Sequence, residues 1–576
     1  MPYRAAVDDY SFLIEEVLDF AALRKTARFG DATDDLTQAI LTEAARLCDD
    51  VLAPLQRGGD LHPARLENGV VRTSPGYADG FKAVAEGGWI GMSADPEYGG
   101  MGLPMTLTSA VNEMMSGACL SLQLAPLMSQ GQIEALEHHA SDAIKDLYLP
   151  KLISGEWTGT MNLTEPQAGS DVGALSSKAE DKGDGTYAIS GQKIYISWGD
   201  NDFAGNICHL VLARLPGAPA GTKGISLFLV PKFLPDENGE PGPRNALNVV
   251  SLEHKMGLHG SPTAVMQYDA ATGWLIGREG GGMAAMFTMM NNARLGVGEQ
   301  GIGAAEGAYQ LALSFALERK QGRALTEGGT GTIVDHADVR RMLLSMKADI
   351  FAARAIALSC AYASDMARAE AGKHWQARAA FLTPITKAFG TDTGIAVAEM
   401  GVQVHGGMGF IEETGAAQFS RDVRVTAIYE GTNGIQAMDL VGRKMMDGGD
   451  AANRLLDEIQ ADSEAARDTF PRMTDALWQA SETLREATDW MVAQTEMNNR
   501  FAGAVPYLRA FARVLGGHLH LKAAIAEKNA GNIGGVREKM ARFYMQRLLP
   551  EHAGLLVHAQ AGDDALYDVT IAELGG

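Results

Sequence analysis

The stretch IYEGTNGIQ, residues 428–436, places one carboxylate, Glu430, between Ile428–Tyr429 and Gly431–Thr432. A charged side chain in apolar company is either paired or put to use. Read alone, Glu430 is also consistent with a helix-start carboxylate favoured by the helix dipole. Elsewhere, Gly296, Gly298 and Gly301 match GxGxxG in RLGVGEQGIG. A dinucleotide fingerprint has to follow a strand and open a helix. Here Met283, Met286, Met289 and Met290 precede it at helical spacing, so the glycines read as small residues for close helix packing. No Walker A loop, HExxH motif or GxSxG elbow occurs. The four cysteines, Cys48, Cys119, Cys208 and Cys360, form no CxxC or Cys/His cluster. They read as reduced structural thiols of a cytoplasmic protein, and no metal site is expected.

The elements that position these residues follow from periodicity. The chain has 576 residues, 46 % of them hydrophobic, enough for several domains around a large core. Its net charge of −22 argues against general affinity for nucleic acid or anionic membranes. No basic leader opens the chain and no apolar run approaches the roughly 18 residues of a membrane span. Helical spacing runs to about residue 157. Short β-branched runs such as TYAISGQKIYIS, HLVLARL, GISLFLVP, SPTAVMQYDA and GWLIG predict strands over 158–280. Helical spacing returns over 281–445, and MDGGDAAN marks a junction before a last helical block over 446–576. Strands and helices are segregated, which predicts an α+β protein rather than a doubly wound sheet.

Three segments carry a resemblance when taken together: MNLTEPQAGSDVGAL (161–175), GQKIYIS (191–197) and VQVHGGMGFIEETGAAQFSRDVRVTAIYEGTNGIQ (402–436). The sequence resembles the acyl-CoA dehydrogenase family over roughly residues 40–445. The resemblance implies an N-terminal helical domain (41–157), a middle β-barrel or sandwich domain (158–280) and a C-terminal four-helix bundle (281–445). An N-terminal extension (1–40) and an extra C-terminal helical domain (446–576) resemble those of an extended bacterial branch. That branch includes enzymes acting on 3-methylmercaptopropionyl-CoA in dimethylsulfoniopropionate breakdown, so this or another short or medium acyl-CoA is the expected substrate.

The resemblance also implies site residues. Glu430 takes the α-proton of an acyl-CoA thioester while the β-hydride passes to N5 of FAD, leaving a trans-2-enoyl-CoA. A water-poor site makes a carboxylate more basic, and donors aimed at the thioester oxygen stabilise the charge that develops there. Some relatives carry the base immediately before an arginine on an earlier helix; here that pair is Ala293–Arg294, and alanine takes no proton. Arg294, Gly431 and Ser170 are then expected at the substrate. Met161, Leu163, Thr164, Gly169 and Ser170 are expected along the flavin. Tyr195 and Ser197 stand where the family usually has Trp and Thr, and Gln167 replaces a common glycine. Arg319 matches an arginine that reaches the FAD pyrophosphate from a neighbouring subunit, although Gly-Arg after Gln321 alters the family's spacing there. Gln403, Gly406 and Gly407 match the segment that meets the partner's cofactor, Thr432 and Asn433 are expected to face FAD, and His405 to be structural. Electrons are expected to leave through an electron-transfer flavoprotein. An acyl-CoA oxidase is the alternative enzyme. A DNA-binding relative is the alternative without catalysis, and the acidic excess of DEIQADSEAARD opposes it. The apolar stripes of the last block need a partner surface. It is expected to cover the face that shorter relatives use as tetramers, leaving a homodimer.

Overall fold

In the computed structural model, residues 3–325 and 328–576 are described. The N-terminal helices centre on Met105–His139, nearly all of which is buried. Its first N–H groups are satisfied from another helix: Met105 N and Thr106 N donate to the Asp365 carboxylate at 2.7 and 2.8 Å. One part of this region departs from the helical expectation. Arg65–Glu67 and Val70–Arg72 form an antiparallel hairpin. The Asn68–Gly69 turn explains it, since both residues adopt positive φ, 51° and 76°.

The middle region is a seven-stranded sheet that closes on itself. Thr263–Ile276 pairs with Tyr187–Ser197 and with Ile225–Pro231. Ile225–Pro231 continues to Asn206–Arg214, which meets Lys178–Asp181, which returns to Tyr187–Ser197. Leu247–Leu252 and Trp157–Asn162 attach outside this ring. Ile189, Val211, Phe228, Val230 and Met266 fill its buried interior. The segments SPTAVMQYDA and GWLIG, read as two strands, form one 14-residue strand. The register shifts between Tyr268 and Ala271, where Ala270 takes φ 58°, so an irregularity rather than a loop joins the halves.

Three long helices follow, Gly282–Glu318, Ala337–Arg368 and Lys373–His405. The GxGxxG glycines lie inside the first. A Cβ on Gly298 would come within 2.8 Å of the Thr386 carbonyl oxygen, and one on Gly301 within 2.5 Å of that of Gly390. They are packing glycines, as the helical spacing implies. Shorter helices, Ala416–Val423 and Asn433–Asp439, complete this region, and Glu430 stands in the break between them.

The last helices pack onto the bundle. Phe511 of Ala504–Asn529 meets Phe381 edge-on at 5.0 Å between ring centroids, and Arg513 pairs with the buried Asp349. The N-terminal extension joins the same assembly. Asp9 accepts from Arg537 at 2.6 Å and from Arg354 at 3.3 Å, and Arg354 also pairs with Glu113 at 2.7 Å and Glu306 at 2.9 Å. All four cysteines are free and buried. Among the described residues no helix is long and apolar enough to cross a membrane, and no group of His, Cys, Asp and Glu side chains could hold a metal.

Candidate active site

Glu430 lies between the short turn Arg424–Ala427 and the helix Asn433–Asp439. Its backbone is left-handed, φ 57°, and Gly431 follows at φ 85°. For a residue with a Cβ this conformation costs roughly 1–2 kcal/mol, and such residues gather where function over-determines the backbone. Several side chains hold it. Lys387 Nζ donates to the Gly431 carbonyl at 2.8 Å and to Asn433 Oδ1 at 2.9 Å. Gln436 Nε2 donates to the Glu430 carbonyl at 3.1 Å. Thr432 Oγ1 caps the next helix by accepting from Ile435 N at 3.3 Å. On the other side, the Tyr429 hydroxyl donates to Gln300 Oε1.

The electrostatics suit a base. Burial pushes the Glu430 carboxyl up to about 7, against the pull of Arg294 and Lys387. Arg294 is itself buried and pairs with Asp439 at 3.3 Å, while its Nε has no partner among the described residues. Its guanidinium lies close to the loop, since a Cβ on Gly431 would stand 3.9 Å from Arg294 Nη2. Burial lowers the Lys387 ammonium to about 7, with Glu430 acting in the opposite direction. Carboxyl and ammonium therefore titrate as a coupled pair near neutrality.

The other expected residues fall into two further groups. Met161, Leu163 and Thr164 run out of the edge strand Trp157–Asn162 beside the end of Tyr187–Ser197, joined by Ile194 N to the Thr164 carbonyl at 2.9 Å. A buried ion pair, Lys193–Glu165 at 2.8 Å, pins this loop, and Lys193 also donates to the Leu163 carbonyl at 3.0 Å. Burial opposes charge on Glu165, but Lys193 and the Ser176–Ser177 donors hold it down at about 2. Gln167 has a definite place here: its Nε2 donates to Glu165 Oε2 at 2.7 Å and to Ser176 Oγ at 3.0 Å. Tyr195, at φ 60°, stands 60 % exposed above this loop's strand, with Ser197 partly buried and Gly169 and Ser170 exposed. Arg319 ends the Gly282–Glu318 helix and is exposed, as are Gln403, Gly406 and Gly407. Phe315 and His405 stack at 4.5 Å and tie these two helix ends together. His405 is buried, and its Nδ1 is 2.7 Å from the Gly401 carbonyl. Asn433 is committed inward, donating to Asp392 at 2.7 Å and accepting from Lys387.

Sequence reasoning missed Lys387, Gln436 and the ion pair Lys193–Glu165. A lysine and a glutamate inside otherwise apolar or loop-forming runs were the available signals. Their partners lie 28 residues away for Lys193–Glu165 and 44 for Lys387–Gly431, so spacing does not connect them.

Matches to known proteins bear on the family of the chain. Family models for the acyl-CoA dehydrogenase N-terminal, middle and C-terminal domains match residues 34–156, 160–271 and 280–446. A model described as acetyl-CoA dehydrogenase C-terminal like matches residues 455–570. The 3-methylmercaptopropionyl-CoA dehydrogenase of Ruegeria pomeroyi is 45 % identical over 539 residues, covering 92 % of each chain. A butyryl-CoA dehydrogenase of Syntrophomonas wolfei is 33 % identical over 604 residues, covering 98 % of each. The crystal structure of Caenorhabditis elegans ACDH-11 in complex with C11-CoA superposes with a TM-score of 0.78 at 20 % identity, over 94 % of this chain and 91 % of that one. The chain belongs to the acyl-CoA dehydrogenase family, whose members are FAD flavoproteins acting as oxidoreductases.

The residues present fit that cofactor. The uncovered Tyr195 ring offers a face for a flat heterocycle, and Thr164, Ser170 and Ser197 offer hydroxyls that are not fully buried. Gly169, Gly406 and Gly407 have open space where a Cβ would stand, so their backbones allow close approach. Exposed Arg319 supplies a guanidinium suited to a pyrophosphate.

Proposed function

We propose that this acyl-CoA dehydrogenase removes the α-proton of an acyl-CoA thioester with Glu430, and that 3-methylmercaptopropionyl-CoA is its preferred substrate. The observation that carries the catalytic assignment is a single carboxyl group pushed up to about 7, on a strained backbone fixed by Lys387 and Gln436. A base poised near neutrality is ionised enough to act and basic enough to accept a weakly acidic proton. FAD, when bound, supplies the acceptor for the β-hydride. The protein's own part is to hold the base, to keep water away from it, and to present backbone N–H groups around Gly431 to the thioester oxygen. Arg294 balances the charge of ionised Glu430. Met161, Leu163, Thr164, Tyr195 and Ser197 hold the flavin. Arg319 with Gln403, Gly406 and Gly407 serves the cofactor of a second subunit in a homodimer, and an electron-transfer flavoprotein reoxidises it.

The substrate preference is supported by the 45 % identity to the Ruegeria pomeroyi enzyme over 92 % of both chains. The test is anaerobic flavin bleaching with propionyl-, butyryl-, octanoyl- and 3-methylmercaptopropionyl-CoA side by side. The thioether substrate should bleach fastest at limiting concentration, and faster bleaching by butyryl- or octanoyl-CoA overturns the preference. Glu430→Gln should bind FAD and stay yellow with every substrate. Normal bleaching in that variant removes the base assignment.

A further inference from the structure

Lys387 is a fully buried lysine whose donors reach the loop that carries Glu430. It sits within the Lys373–His405 helix, among Ile385, Ala388 and Phe389, which are buried apolar residues. Bringing an ammonium out of water costs several kcal/mol unless its donors are satisfied. Here the donors are spent on one place. They hold the carbonyl of Gly431, the residue after the base, and the side chain of Asn433, two positions further on. Asn433 is in turn fixed by Asp392, Thr391 and the Ala388 carbonyl, all on the helix that carries Lys387. The lysine thus anchors the left-handed turn at Glu430–Gly431 to a rigid helix from inside.

We propose, on the reading of Glu430 as the base, that Lys387 is its positioning residue, clamping the Glu430–Gly431 turn and supplying a charge that keeps the carboxylate ionised for proton abstraction. The balance of charge around the site supports this. Glu430 faces two cations, Arg294 and Lys387, on different helices. Arg294 is already engaged by Asp439, whose second oxygen accepts from Arg443 at 2.6 Å. Asp392 is bound to Asn433, and burial raises its carboxyl, with Arg509, Lys387 and Arg424 opposing. Tyr429 is buried and pushed up, first by burial and then by Glu430, so it stays a neutral phenol. Among the described residues, Lys387 is therefore the cation near Glu430 whose hydrogen bonds go to the base's own loop and not to a carboxylate of its own. Its ammonium and the Glu430 carboxylate are coupled, so each favours the charged form of the other.

The experiment compares the wild-type holoenzyme with Lys387→Gln and Lys387→Met. The first removes the charge and keeps an amide donor for the Gly431 carbonyl on a side chain one atom shorter, which guards against loss of fold in the second. The Glu430 carboxyl is followed by infrared difference spectroscopy against pH, its band assigned by its disappearance in Glu430→Gln, and flavin reduction by acyl-CoA is timed over the same range. Removing an opposite charge at close range moves a carboxyl by about one unit or more. Both Lys387 variants should titrate Glu430 about one unit higher. Flavin reduction by Lys387→Gln should fall about tenfold at pH 6 and recover toward the wild-type rate at pH 9. Lys387→Met should recover less, because the turn also loses its clamp. An unchanged carboxyl band in Lys387→Gln, or an equal loss of rate at pH 6 and pH 9, overturns the proposal. If instead Glu430→Gln reduces flavin normally, it is the base assignment that fails.

Discussion

Glu430→Gln should stabilise the protein at alkaline pH and leave it nearly unchanged in acid. The folded protein holds this carboxyl at about 7 against 4.5 for the free group, chiefly through burial, with Arg294 and Lys387 already counted in the balance. One pKa unit corresponds to about 1.4 kcal/mol, so keeping the ionised form folded costs at most about 3 kcal/mol. The sign follows from proton binding. Between the unfolded and folded values the native state holds the proton more tightly, so stability falls as pH rises through that window and levels off above about 7. A glutamine never ionises and escapes the loss. At pH 5 the wild type has lost under about 1 kcal/mol, and at pH 8 the full amount, a difference of about 2.5 kcal/mol. With an unfolding entropy of roughly 2 cal/mol/K per residue and 576 residues, this is a shift of roughly 2 °C in Tm. Paired thermal melts of wild type and Glu430→Gln from pH 5 to pH 8 should therefore diverge with rising pH, the variant melting higher. Parallel melting curves, or divergence in acid, would show that the carboxyl is not held in the neutral form by its surroundings, and the case for a base poised at neutrality would lose its physical footing.

Three further outcomes follow from the same geometry. Arg354→Met leaves Glu113, Glu306 and Asp9 around a missing cation, and a denaturation midpoint should report a loss of about 3–5 kcal/mol. Gln167→Ala frees the Glu165–Ser176 turn from its amide staple; at about 1 kcal/mol for the exposed end of that network, FAD should be released roughly fivefold more readily, read by flavin fluorescence in dilution. Gly431→Ala places a Cβ at φ 85° and within 2.8 Å of Gln436 Nε2, so the variant should keep its flavin yet lose about five- to thirtyfold in the rate of bleaching, from roughly 1–2 kcal/mol of backbone strain at the base.

The helix–strand–helix order was legible because burial follows period: Gly282–Glu318 and Asn206–Arg214 carry spacing that a helix and a buried strand each require. What spacing left unread is informative. The Arg65–Arg72 hairpin depends on the two residues Asn68 and Gly69, too few to show in a periodicity reading. Thr263–Ile276 looked like two strands because an irregularity at Ala270 breaks the alternation without breaking the ladder. Gln167, met as an unexplained replacement for glycine, acquires a reason only when Glu165 and Ser176 are seen to fold back on it.

The same limit governs the candidate base. A carboxylate in an apolar run marks a position, and the sequence motif gives it a family role. How strongly it holds its proton is set by burial, opposed by Arg294 and Lys387 on two different helices, while Gln436 holds its backbone carbonyl. Lys387 shows why no local rule finds these partners. In TPITKAFG it reads as a cation that a helix would turn to solvent. The fold instead turns it inward, where its cost is met only because the Gly431 carbonyl and Asn433 wait for it. A helix that accepts such a residue has traded packing for control over one loop. The trade is explicable if that loop carries the chemistry, and a neutral substitute at 387 that left the titration of Glu430 untouched would remove the reason for it.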